Sequence, residues 1–135
     1  MIVVVCLCQI RWYLGDELFD IVVYLILSFK YVIILKAKYI IHVNGPKFRE
    51  EDEEGKLRSA TKNALRRADE KGVKRLAFPP IGTGLYQVPM DLCARVMVDA
   101  VAKHLQNDTT LDEVLFVTMD EREYEPFKKQ IEGGA

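Results

Sequence analysis

One stretch constrains this chain more than any other: Leu76-Ala77-Phe78-Pro79-Pro80-Ile81-Gly82-Thr83-Gly84-Leu85-Tyr86-Gln87-Val88-Pro89. An apolar, strand-like run enters a loop with two glycines, and the loop feeds a helix. Glycine there lets the backbone adopt φ > 0 and lets a ligand approach the main chain closely. Loop N–H groups, the Thr83 hydroxyl and a helix N-terminus then gather around one point, an arrangement that suits a phosphate or diphosphate. The spacing alone is not specific. A dinucleotide fingerprint needs glycine or alanine at position 87, where Gln87 stands, and a Walker loop needs a terminal Gly-Lys-Ser/Thr, which does not occur. A plain strand-to-helix turn has the same spacing.

The flanking sequence reads as alternating strands and helices. Lys38–Val43 is a strand stopped by Asn44-Gly45-Pro46. Leu57, Ala60, Ala64, Leu65 and Ala68 recur at helical spacing up to a stop at Gly72. Arg75–Phe78 is the next strand. Cys93, Val96, Met97, Ala100, Val101 and Leu105 form the apolar stripe of a second helix, and Glu113–Thr118 is a third strand. Asp120 with Glu123 gives a capping-box start to a closing helix whose apolar face is Tyr124, Phe127 and Ile131. Glu50–Glu54 reads as a solvated acidic loop. The alternation implies an α/β layer fold with largely parallel pairing and a ligand cleft outside the carboxyl ends of the strands.

Composition narrows the function. At 135 residues the chain has the length of one domain, and its net charge of −1 favours neither nucleic acid nor any other polyanion. The glycine loop carries no Lys or Arg, so a phosphate bound there has to rely on backbone dipoles. The three cysteines, Cys6, Cys8 and Cys93, show no zinc spacing and read as reduced thiols of a cytoplasmic protein, with no metal or cofactor implied. The first third is strongly apolar, with the runs Ile2–Val5, Ile21–Leu27 and Tyr31–Leu35 resembling strands buried on both faces. Its uncharged stretches fall short of the roughly 20 residues of a spanning helix, so no membrane segment is expected. Covering the apolar excess with a second copy would make a homo-oligomer.

Read as a whole string, the glycine segment resembles the phosphate-binding loop of macro domains, the ADP-ribose-binding modules. Three further pieces fit in order: Ala37–Pro46, ending in His42-x-x-Gly45-Pro46; the helix from Leu57 to Gly72; and Val114–Phe127, with its strand, aspartate and closing helix. The resemblance covers about residues 31–132. It implies a single macro-like domain over 1–135 with a divergent segment at 1–36 and the recognisable part at 37–132. The implied fold is a three-layer α/β/α arrangement with a mixed, largely parallel sheet. It implies ADP-ribose or an ADP-ribosylated protein as partner, with Ile81, Gly82, Thr83, Gly84, Leu85 and Tyr86 as the binding loop. Tyr86 then lies against the distal ribose and diphosphate, Met119 takes the place of an adenine-stacking aromatic, and Asp16 that of the adenine-reading aspartate. Gln87 replaces a glycine of the family, at a cost on the order of 1 kcal/mol if its φ is positive.

The sequence departs from the family upstream. Gly15-Asp16 echoes the opening motif, but there is no Asn-Ala-Ala-Asn and no glycine between Asp20 and Ala37. The family places a water with those elements, so the expected activity is binding without efficient catalysis, and no catalytic residue is assigned. The rivals are an ADP-ribosyl hydrolase, for which Asp20 is the one carboxylate offered as general base, and a ligand-free structural or oligomeric domain. His42 is expected in a hydrogen-bonded structural role within its strand. His104 sits near a helix C-terminus, where the macrodipole favours it.

Overall fold

The computed structural model describes the backbone of residues 2–6 and residues 38–133. Among them lie four strands and three helices: β1 (Ile2–Cys6), β2 (Tyr39–Val43), α1 (Glu53–Glu70), β3 (Arg75–Phe78), α2 (Met90–Leu105), β4 (Glu113–Phe116) and α3 (Glu121–Gly133). The strands form one sheet in the order β2-β1-β3-β4, every pairing parallel. The apolar run at the start of the chain therefore supplies an interior strand, with Val3 in register with Ile40 on one side and Ala77 on the other. Parallel pairing places the carboxyl ends of β2, β3 and β4 on one edge, and the loops that follow them share that edge.

Strand periodicity sets which side chains meet the helices. Leu76 and Phe78 of β3, Val43 of β2 and, partly buried, Tyr39, Ile41, Val114 and Phe116 belong to one cluster with the helix stripes. From α1 come Leu57, Ala64, Leu65 and Ala68; from α2, Cys93, Val96, Met97 and Val101; from α3, Phe127. The Phe116 ring bridges strand and helix, 4.8 Å from Phe127 and 6.3 Å from Phe78 between centroids. Ala77 points to the opposite face and is buried there as well.

Helix ends follow local chemistry. Asp52, itself left-handed at φ 55°, caps α1 by accepting the Gly55 N–H. At the other end Gly72 has φ 62°, the Val73 N–H reaches the Ala68 carbonyl and the Gly72 N–H the Asp69 carbonyl, a Schellman closure. The capping box at Asp120 forms with a shift of one residue: Asp120 accepts the Glu123 N–H, and Glu123 accepts from Met119.

Four readings need correction. Of the apolar face expected for α3 only Phe127 is buried, while Tyr124 and Ile131 are exposed. The acidic stretch is a solvated loop only as far as Asp52: Glu50, Glu51 and Asp52 are exposed in a turn. Glu53 and Glu54 open α1, which starts four residues before Leu57, and Glu54 pairs with Arg58 and with Arg95 of α2. Leu105, at the last turn of α2, is exposed rather than part of the stripe. His42 is exposed, because it faces away from the helices on β2, the outermost described strand on that side.

Candidate functional site

The glycine loop is built from its ends inward. Ile81 is fully buried, its N–H directed at the Met97 sulfur and its carbonyl 3.4 Å from the Cys93 thiol, so the loop entrance is fixed to the first two turns of α2. Val88, buried at the exit, donates to the Gly82 carbonyl at 3.0 Å, and Gln87 donates to the Gly84 carbonyl at 3.0 Å. Between these anchors Gly84 and Leu85 are exposed, while Thr83 and Tyr86 are half-buried. The Thr83 hydroxyl leans back toward the Pro80 carbonyl, 3.5 Å away. Among the described residues, the N–H groups of Gly82, Thr83, Gly84 and Leu85 donate to no protein acceptor. Four consecutive strong donors are left over, just before the N-terminus of α2, which itself lacks a side-chain cap.

Left-handed backbone falls at Gly82, φ 77°, and at Gln87, φ 54°. Gly84, read from the sequence as a second left-handed glycine, is not among the positive-φ residues described. Its lack of a side chain therefore serves approach to the loop rather than the turn. The strain anticipated at Gln87 is present.

The His42-x-x-Gly45-Pro46 segment backs this loop. A Cβ on Gly45 would stand 2.7 Å from Ile81 Cγ2 and 3.4 Å from the Gly82 Cα, so the two loops touch through their glycines. The Phe48 N–H donates to the Tyr86 carbonyl at 2.7 Å, which ties the far side of the glycine loop to the same segment. The sequence motif thus has a packing reason: only a residue without a side chain allows this approach.

Met119 stands at the same edge, beyond β4, and is 90% exposed. The Val117 N–H donates to the Phe78 carbonyl and fixes the exit of β4 beside the entrance to the glycine loop. Ile81 through Tyr86 and Met119 are therefore placed at the carboxyl edge of adjoining strands. Asp16 and Asp20 lie outside the described residues. A separate cleft of about 620 Å³ between Asp91 at the start of α2 and Lys129 and Glu132 of α3 takes no residue from the loop.

The partners given for His104 and Cys93 among the described residues are structural ones. His104 Nε2 lies 2.7 Å from Asp69, which also accepts the Thr109 hydroxyl at 2.6 Å and both the N–H and the hydroxyl of Thr110. Burial pushes the Asp69 carboxyl up, but the bonds from Thr109, Thr110 and His104 outweigh it and hold it below the usual aspartate range. This hub pins the end of α1 to the segment entering β4, at the far ends of those elements from the glycine loop. Cys93 is buried, its thiol 3.4 Å from both the Ile81 carbonyl and the Met97 sulfur, and Cys8 lies outside the described residues. Among the described residues no His, Cys, Asp and Glu cluster could hold a metal, and no helix is long and apolar enough to cross a membrane.

Comparison with known proteins agrees with this architecture. The sequence profile of the macro domain family matches residues 30–97. A macro domain-containing protein of Streptomyces coelicolor is 42% identical over 98 residues, covering 72% of this chain and 56% of the relative. One from Caldanaerobacter subterraneus is 40% identical over 100 residues, covering 73% and 57%. The chain thus spans somewhat more than half the length of these relatives. Among solved structures, an Oceanobacillus iheyensis macrodomain with ADP superposes with a TM-score of 0.71 at 18% identity, over 98% of this chain and 83% of that one. A Trypanosoma brucei macrodomain in complex with ADP-ribose gives 0.72 at 21% identity, over 96% and 62%. The fold, the glycine loop backed by Gly45-Pro46, and the profile match lead to one conclusion: this chain belongs to the macro domain family.

Proposed function

We propose that this chain binds ADP-ribose, or a related nucleotide diphosphate, through the Gly82–Tyr86 loop, free or attached to a protein. The observation that carries the reading is the run of four backbone donors, Gly82 to Leu85, with no protein acceptor among the described residues. Backbone N–H groups beside a helix N-terminus complement a diphosphate without a formal positive charge. Solved macrodomains with ADP and in complex with ADP-ribose support the ligand class. Met119, exposed on the same edge, is the surface offered to the adenine ring. The function proposed is binding without efficient turnover, because the Asn-Ala-Ala-Asn segment expected to place a water is missing from the sequence.

Calorimetric titration with ADP-ribose, AMP and ribose 5-phosphate tests the reading. ADP-ribose should bind more tightly than either fragment, because only it spans the loop with a diphosphate. Equal affinity for AMP would move the site away from the loop. Release of ADP-ribose from a modified protein well above background, lost in Asp20→Ala, would replace the binding reading with hydrolysis.

A further inference from the structure

The glycine loop has no cation of its own, but the segment behind it brings one. Lys47 follows Gly45-Pro46, and its Nζ lies over the Tyr86 ring, 5.8 Å from the centroid, within range of a cation–π contact. The placement is held on both sides by the main chain. The Lys47 N–H donates to Glu50 Oε2 at 2.9 Å, and the next residue, Phe48, donates to the Tyr86 carbonyl at 2.7 Å. The Glu50 carboxylate is itself paired with Lys56, at 2.6 Å; it acts on the Lys47 ammonium only through space, and among the described residues no carboxylate lies within salt-bridge distance of that ammonium. Lys47 is exposed and brings a positive charge beside Tyr86, at the end of the run of unengaged N–H donors.

We propose that Lys47 is an affinity- and specificity-determining residue of this site. It supplies from the β2–α1 loop the positive charge that the Gly82–Tyr86 loop lacks, and it favours ligands whose phosphates sit next to Tyr86. The inference rests on the loop being the binding site. It changes the expectation from a site of backbone dipoles alone to one of backbone dipoles plus one movable cation. A unit charge about 6 Å from a phosphate is worth about threefold in affinity at the dielectric of water and up to about a hundredfold at the effective dielectric near a protein surface. The exposure of Lys47 places it at the low end, roughly three- to tenfold. Salt should weaken that part and leave the backbone part largely intact.

The test is calorimetric titration of ADP-ribose at low and high salt into the unaltered chain, Lys47→Met, Lys47→Glu and Lys71→Met. Lys71 is the control: it is exposed and follows the last turn of α1, roughly 25 Å along the helix from the β2–α1 loop. The expected result is about three- to tenfold weaker binding for Lys47→Met, a larger loss for Lys47→Glu, a shallower salt dependence in both, and no change for Lys71→Met. Circular dichroism confirms that each variant is folded. Binding by the unaltered chain with Lys47→Met and Lys47→Glu unchanged would overturn the role of Lys47 and leave the loop as the site. Equal losses in Lys47→Met and Lys71→Met would reduce the effect to net charge and likewise overturn it. No binding by the unaltered chain would overturn both.

Discussion

Val88 and Gly82 are in contact twice: the Val88 N–H donates to the Gly82 carbonyl at 3.0 Å, and a Cβ built on Gly82 would stand 2.9 Å from Val88 Cγ2. The loop therefore closes on a residue that must be glycine for two reasons, since Gly82 also has φ 77°. Gly82→Ala should destabilise the protein by about 2 kcal/mol, from left-handed strain and crowding against Val88 together. Chemical denaturation followed by circular dichroism checks this. A midpoint equal to that of the unaltered chain would mean the loop closes differently.

Gln87 makes the opposite case. Its φ of 54° is one that glycine adopts without penalty, and its side chain is exposed. Gln87→Gly should raise stability by about 0.5–1 kcal/mol, the relief of left-handed strain exceeding the extra entropy of the unfolded chain. A lower thermal midpoint in this variant would show that the glutamine side chain contributes more than its backbone costs.

Asp69 gives a pH-dependent prediction. Its folded carboxyl titrates below the ordinary value of 3.8 because Thr109, Thr110 and His104 bond to the charged form, despite the upward push of burial. A depressed folded value means that the unfolded chain binds the proton first. The stabilisation is thus complete above the ordinary aspartate range and is lost as pH falls through the lower folded value. Asp69→Ala should cost about 2 kcal/mol at neutral pH, where it removes several bonds to one charged group. The gap between variant and unaltered chain should narrow as pH falls from about 5 to 3. Denaturation midpoints across that range decide it, and a constant gap would contradict the assignment.

Much of this could be read from the sequence, and the exceptions share a cause. The strand ending at Val43, the strand Arg75–Phe78, the stop at Gly72 and the box at Asp120 rest on local chemistry, and each forms within a residue or two of its expected place. What failed depends on tertiary surroundings. Glu53 and Glu54 look like a continuation of the Glu50–Asp52 loop until α1 is seen to start at Glu53, with Arg95 of α2 brought to Glu54. His42 looks buried until β2 is placed outermost among the described strands, with that side chain on the face away from the helices. The nearness of Lys47 to Tyr86 was not legible because the two are distant in sequence. The signal lay in Gly45-Pro46 itself, since a glycine that packs on the loop carries the next residues to it.

The most direct test of the account is ADP-ribose affinity in the unaltered chain and in Gly84→Val. Gly84 is exposed, in the middle of the unengaged donors, and has no positive φ that a side chain would strain. The variant should fold normally while its β-branched side chain blocks approach to the main chain. The prediction is measurable binding by the unaltered chain and loss of that binding, by about a hundredfold or more, in folded Gly84→Val. Unchanged affinity in the variant, or no binding heat from the unaltered chain, would contradict the assignment of the Gly82–Tyr86 loop as the diphosphate site.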